Sequence, residues 1–304
     1  MDIYKAQEVS LTDILKKIGV KAVRKNKDEI WYLSPLHKKK VACFLVNKKT
    51  NRWRDHRLEK EGDTLDFALA YLEYSGENFG LHDGLRWVKN MSGLEPGITP
   101  VPVPDYSHED KNISIGKAKP ITHRSLAIYL QSRGIPLAIA ARHLKQIKVY
   151  NKADKTRWTA VGCKNETRGY ELRSSNFKGC SRPKDITFIR GKIPKPDGVH
   201  VFKSIMDYLS VLARLRGKPL NDDAIILHSL YNMKKASAYI KNYGYRFGYT
   251  WMDNDESGRQ ATASWDEFFK TEDNLIHKPM NRLYAAHKDV NAWHISKIIF
   301  SEDD

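Results

Sequence analysis

Apolar and polar positions change rhythm three times along the chain. Over the first ninety or so residues, short alternating runs mix with helical periods. Residues 11–19 place Ile14, Leu15 and Ile18 on one helical face, with Thr12 as the expected cap and Gly19 as a left-handed stop. Residues 30–33, 42–46 and 52–55 read as strands, the last two joined through a hairpin loop at 47–51, and residues 65–72 read as a helix. Between Leu94 and Pro120 the rhythm is lost. Pro96, Pro100, Pro102 and Pro104 fall close together, a composition that makes an extended, semi-stiff spacer.

Periodicity returns at Thr122. Leu126, Tyr129 and Leu130 share a helical face, Arg133-Gly134-Ile135 ends it, and Pro136 opens the next helix. Residues 159–162 and 169–173 read as a β-hairpin pair, and 175–184 as a basic loop. From Val199 to about Ser296 strands and helices alternate. Strands are expected at 199–202, 224–228, the run ending at Asp253, and 282–286; helices at 204–216, 234–243 and 259–269. Such alternation implies right-handed crossovers onto a mostly parallel sheet. The expected class is α/β, mixed α+β overall. It comprises a small finger-like β-rich domain (1–93), a Pro-rich linker (94–120), a basic sub-domain (121–198) and a parallel-sheet domain flanked by helices (199–304).

Charge narrows the class of partner. Against 36 Asp and Glu stand 52 Lys and Arg, a net charge of +16, which points to a polyanion and first to nucleic acid. The three cysteines, Cys43, Cys163 and Cys180, are scattered, give no disulfide framework and fit a reducing cytoplasm. Residues 1–5 lack a signal pattern, and no apolar run nears the ~20 residues of a membrane span, so a cytoplasmic protein without a membrane partner is expected.

Candidate chemistry lies at both ends. The apolar run Phe247, Tyr249, Trp251 stops at Asp253-Asn254-Asp255, followed by a turn to Gly258. Acids carried to the carboxyl edge of a parallel sheet suit a hard divalent cation. Near the amino terminus Lys38, Lys39, Lys40, Arg52 and Arg54 are interleaved with Trp31, Tyr32 and Trp53. Cations for phosphates and aromatic faces for bases make a single-strand platform; the other reading puts those aromatics in a core.

Several of these motifs, in order, resemble those of DnaG-type bacterial primases and their Toprim catalytic domain. The chain is most similar to compact primase-like proteins of bacterial mobile elements. Tyr32-Leu33-Ser34-Pro35-Leu36-His37, Phe44-Leu45-Val46-Asn47 and Gly62-Asp63-Thr64-Leu65-Asp66-Phe67 resemble the primase zinc-binding domain. Tyr129-Leu130 through Arg133-Gly134-Ile135 resembles the first helix of the polymerase core. Asp253-Asn254-Asp255, Val201 to Tyr208, and Lys288-Asp289-Val290-Asn291 stand at the Toprim motifs.

The resemblance implies Mg²⁺ or Mn²⁺ on Asp253, Asp255 and Asp289, with Lys203 and Asp207 in the catalytic motif. It further implies phosphate contacts from Arg173, Lys178, Arg182 and Lys184. Single-stranded DNA and nucleoside triphosphates are the implied partners, with a replicative helicase or mobile-element replication and mobilisation proteins beyond them.

Two departures matter. Of the four zinc positions only His37 keeps a ligand, since Ser34, Asp55 and Leu58 occupy the cysteine positions. The spacing of Cys43 and His56 follows no zinc rule, so zinc is expected to be lost and replaced by aromatic packing. Lys203 stands where the family places a glutamate base, and an ammonium among carboxylates cannot accept a proton. Two readings follow: a primase making primers by metal-dependent nucleotidyl transfer, or a catalytically impaired Toprim-fold accessory protein that binds single strands. A nuclease or topoisomerase is the weaker third, because no Gly-x-x-x-x-Gly-Lys loop is present and the chain is short for strand passage.

Overall fold

Alternation builds the amino-terminal unit. Two short helices, α1 (Ile3–Glu8) and α2 (Leu11–Lys17), precede strands β1 (Ala22–Lys25), β2 (Glu29–Leu33), β3 (Ala42–Asn47), β4 (Arg52–Asp55) and β5 (Lys60–Gly62). The strands pair antiparallel in chain order, and α3 (Thr64–Tyr74) and α4 (Leu81–Ser92) follow. In this computed structural model residues 3–37, 42–92, 98, 112–241, 243–272 and 275–299 are described; Lys38, Lys39 and Lys40 and the proline-rich residues 99–111 lie outside them.

Ser10, not Thr12, caps α2. Its backbone is extended and its hydroxyl accepts from the Asp13 amide, which leaves Thr12 inside the first turn. Gly19 takes a φ of +79° just beyond the helix, where glycine avoids the Cβ penalty. Asp63 and Asp66 form a reciprocal capping box on α3.

Along β4 the pleat turns Arg52 and Arg54 outward and Trp53 and Asp55 inward. Trp53 is 3% exposed, stacks on Phe44 with centroids 5.2 Å apart, meets the edge of Phe67 and donates its indole N–H to the Asp63 carbonyl. This corrects the stacking role expected for Trp53: its faces are already covered. Tyr32 is also buried, whereas Trp31 is half-buried and stacks on His56.

Contacts divide the chain into Met1–Pro96 and Gly97–Asp304. The second unit carries two sheets. Strand β6 (Ile113–Ile115) and helices α5 (Arg124–Ser132) and α6 (Leu137–His143) precede β7 (Leu144–Asn151), β8 (Arg157–Lys164), β9 (Tyr170–Ser174) and β10 (Phe177–Ser181). These strands form an antiparallel sheet of order β10-β9-β8-β7-β6. Half of the residues expected as a basic loop are therefore strand: Ser175 and Asn176 make the turn, β10 takes Phe177–Ser181, and Lys178 pairs in register with Arg173.

The last sheet runs through β11 (Thr187–Ile189), β12 (Gly198–Phe202), α7 (Ile205–Arg214), β13 (Asp223–Ile226), α8 (Met233–Ile240), β14 (Phe247–Trp251), α9 (Glu256–Lys270), β15 (Ile276–Pro279) and α10 (Val290–Ile299). Its order is β11-β13-β12-β14-β15; β11 joins antiparallel and the other three pairings are parallel. Tyr208, Leu212, Trp251 and Tyr284 pack in one core, Tyr239, Trp265, Phe268 and Phe269 in another. The final strand lies earlier than expected. Residues 276–279 pair with β14, whereas Asn281–Tyr284 form a 3₁₀ turn.

Candidate active site

Register brings the site together. Phe202 and Trp251 face each other as the last residues of β12 and β14, so Lys203 and Asp253 leave the sheet at the same edge. The Lys203 amide donates to the Trp251 carbonyl, and its ammonium pairs directly with an Asp253 carboxylate oxygen. Ser204 caps α7, accepting from the Asp207 amide and donating its hydroxyl to Asp207 Oδ2 at 2.6 Å.

The second half of the site is tied to the first through Asn254. Its Nδ2 donates to the Tyr284 and His287 carbonyls, both at 2.9 Å, and its amide to the Lys288 carbonyl at 2.7 Å. Beside that loop, Asp289 Oδ1 accepts from the Ala292 amide and Asp207 Oδ1 from the Asn291 amide. Gly258 lies so close that a Cβ there would sit 2.0 Å from the Asp253 carbonyl oxygen.

Lys203, Ser204, Asp207, Asp253 and Asp289 line a cavity of about 500 Å³ with Tyr129, Arg133, Arg173, Lys178 and Lys288. Burial, then the neighbouring Asp289 and Asp253 charges, push the Asp207 carboxyl up to about 7. Burial also raises Asp253; Lys203 opposes that rise, and Asp289 and Asp255 add to it. For Lys178, burial followed by the Arg173 and Lys203 charges lowers the pKa. Arg133 Nε is buried without a hydrogen-bond partner among the described residues. A second cavity of about 590 Å³, lined by His123, Arg157 and Trp158, shares Ser174, Ser175, Asn176 and Phe177 with the first.

Of the residues picked from sequence, Lys203, Asp207, Asp253, Asp289, Arg173 and Lys178 meet at this cavity. Asp255 does not line it. Burial acts to raise its pKa, but its Oδ1 accepts from the Gly258 amide and Ser257 hydroxyl as the α9 cap, and the net effect is a lowered pKa. Arg182 and Lys184 are also absent from the lining. Arg173 is buried and committed inward, to Glu171 at 2.6 Å and to the Leu172 carbonyl. Tyr129 and Arg133 join the site although the sequence marks them only through the helix motif Tyr129 to Ile135 and not as site residues.

In the amino-terminal unit His37, Cys43 and Asp55 converge, their donor atoms all within 4.8 Å of one another. His37 is therefore not isolated. Strand pairing, which linear spacing does not express, supplies Cys43. A family profile described as a domain of unknown function, DUF8464, matches residues 115–182. No curated protein matches the chain. Among solved structures the chain is similar to the Aquifex aeolicus primase (zinc-binding and RNA polymerase domains), at 14% identity and TM-score 0.39, covering 92% of this chain and 79% of that one. It is similar also to the primase fragment of the bacteriophage T7 primase-helicase protein, at 16% identity and TM-score 0.39, covering 81% of this chain and 87% of that one. Among the described residues no helix is long and apolar enough to cross a membrane.

Proposed function

We propose that this is a Toprim-type, primase-like protein that binds single-stranded DNA and nucleoside triphosphates, with primer synthesis held back by Lys203. The observation that carries the proposal is the meeting of three acids, Asp207, Asp253 and Asp289, with Arg133, Lys178 and Lys288 on one cavity at the carboxyl edge of parallel strands. Phosphoryl transfer needs both sets: cations for the phosphate oxygens and carboxylates for a divalent ion. Arg133, with its unpartnered Nε, supplies a donor suited to a phosphate oxygen.

The carboxylates fit Mg²⁺ or Mn²⁺ in one respect. Asp289 raises both Asp207 and Asp253, a crowding of negative charge that a cation relieves. Asp253 and Asp289, with Asp207, would hold the ion; Asp255 would offer it only Oδ2, since Oδ1 caps α9. Bound there, it would polarise the phosphoryl group and lower the pKa of the attacking hydroxyl. Lys203 already neutralises Asp253 and competes for that place, which favours the accessory reading for this chain as it stands. The proposed organisation keeps a basic module at 1–93, a spacer that ends before β6 rather than at 120, a phosphate-binding sub-domain from β6 to 198 and the acid-bearing domain at 199–304.

Primer synthesis on single-stranded templates with Mg²⁺ or Mn²⁺ tests this, comparing the native chain, Lys203→Glu, and Lys203→Glu with Asp253→Asn. Synthesis is expected to rise at least tenfold in Lys203→Glu and to vanish in the double variant. Equal synthesis by the native chain and Lys203→Glu would remove the inhibitory role of Lys203. Single-strand binding without synthesis in any variant would leave the accessory function, and absence of both would end the proposal.

A further inference from the structure

We propose that His37, Cys43 and Asp55 bind one divalent metal ion of the zinc class, through a ligand set particular to this chain. Their donor atoms arrive from three places: His37 follows β2, Cys43 lies in β3, and Asp55 ends β4. The β3–β4 register sets Phe44 opposite Asp55, and the His56 amide donates to the Cys43 carbonyl at 2.9 Å. This pairing delivers the thiol beside the carboxylate.

The separations are those of ligands around a common ion. His37 Nε2 stands 3.3 Å from Cys43 Sγ and 3.7 Å from Asp55 Oδ2. With zinc bonds of about 2.0–2.3 Å and tetrahedral angles, neighbouring ligand atoms lie about 3.3–3.8 Å apart. One imidazole nitrogen thus faces a thiol and a carboxylate together. Protons on the imidazole and on the Cys43 thiol, which also bonds Asp55, pair these groups two at a time; a metal ion holds all three at once.

The surroundings are already ordered. Asp55 Oδ2 accepts from the Ser34 hydroxyl at 2.5 Å, and Oδ1 accepts from the Arg57 and Leu58 amides at 2.9 and 3.1 Å. Ligating carboxylates are held by outer partners of this kind. Cys43 and Asp55 are buried and His37 is half-buried. Three protein donors leave a fourth position for water, and a thiolate with an imidazole favours zinc over magnesium or calcium.

The chain has moved a ligand. Ser34 and Leu58, which stand at positions where the resembled family has cysteines, now supply hydrogen bonds to Asp55. Cys43, outside that pattern, supplies the sulfur. The site does not depend on the proposed reaction.

Cobalt(II) titration of the full chain under reducing conditions tests the assignment, alongside zinc content by mass spectrometry. One equivalent of Co²⁺ is expected, with a thiolate-to-cobalt charge-transfer band. Cys43→Ser should abolish the band and weaken binding on the order of 100-fold or more. A variant with Cys163→Ala and Cys180→Ala leaves Cys43 as the sole thiol and should keep the band, so the test stands even where Cys43→Ser folds poorly. Absence of the band in that variant, or its survival in a folded Cys43→Ser, would overturn the proposal.

Discussion

Replacing Lys203 by methionine keeps the stem of the side chain and removes only the charge. The Asp253 side chain is 8% exposed and that of Lys203 23%. Removing one partner of a buried ion pair costs about 3–5 kcal/mol; solvent reaching the ammonium lowers this to about 2–3 kcal/mol. For a unit of roughly 200 residues that corresponds to a fall of about 4–12 °C in the unfolding midpoint. The pH dependence has a definite sign. Burial already raises the Asp253 pKa, and loss of Lys203 raises it further. An acid whose folded pKa exceeds its unfolded value is destabilising when ionised, so stability falls as pH rises from the unfolded value through the folded one. The deficit of Lys203→Met relative to the native chain should therefore be full near pH 8 and shrink towards pH 4. Thermal unfolding followed by circular dichroism across that range measures it. In Lys203→Glu the deficit should be larger, and Mn²⁺ at about a hundred times its Kd should recover about 2.7 kcal/mol. A Lys203→Met midpoint equal to that of the native chain at every pH, or a deficit that grows on acidification, would refute the reasoning.

Asp207→Asn should remove a second pH-dependent cost. With a folded pKa of about 7, Asp207 destabilises increasingly between about pH 4 and 7 and fully above that. Denaturant unfolding should find the variant more stable at pH 8 by on the order of 2–4 kcal/mol and nearly equal at pH 4. Gly258→Ala should lose about 3–5 kcal/mol on the same measurement, because its Cβ meets backbone rather than a yielding side chain. In the amino-terminal unit Trp53→Ala should cost about 3–5 kcal/mol of stability. Exposed Arg52→Ala should instead leave stability intact and reduce the salt slope of single-strand binding by about one.

What could be read from the chain followed the physics of each signal. The run from Phe247 to Trp251 ending in Asp253 marked a strand and its acid, because burial and β-propensity agree there. The stripe of Ile205, Leu209, Leu212 and Leu215 marked α7 for the same reason, although Leu215 is the exposed C-cap rather than part of the buried face. Strand β7 was not foreseen: its buried Leu144, Ile147 and Val149 are interrupted by Lys145, Gln146 and Lys148. Basic residues around Phe177 and Cys180 suggested a loop, but pairing with β9 decided otherwise. Residues 282–286 carry strand-forming side chains, yet β14 was already paired with residues 276–279. Arg133 and Cys43 became legible only with strand register and helix packing in place, whereas Trp53 had two readings and its packing on Phe44 and Phe67 decided for the core.

The middle residue of Asp253-Asn254-Asp255 has a consequence of its own. A strand at 282–286 would have given its carbonyls to a neighbouring chain segment; here Asn254 collects those of Tyr284 and His287 with one amide. The loop before Asp289 is thus moored to the end of β14 by Asn254, beside the Tyr284 hydroxyl that donates to the Met252 carbonyl. Inheritance of the acids alone does not guarantee inheritance of the site. A descendant that retains every carboxylate but replaces Asn254 by leucine would read as intact in any tally of acidic residues, while the two halves of its cavity drift apart.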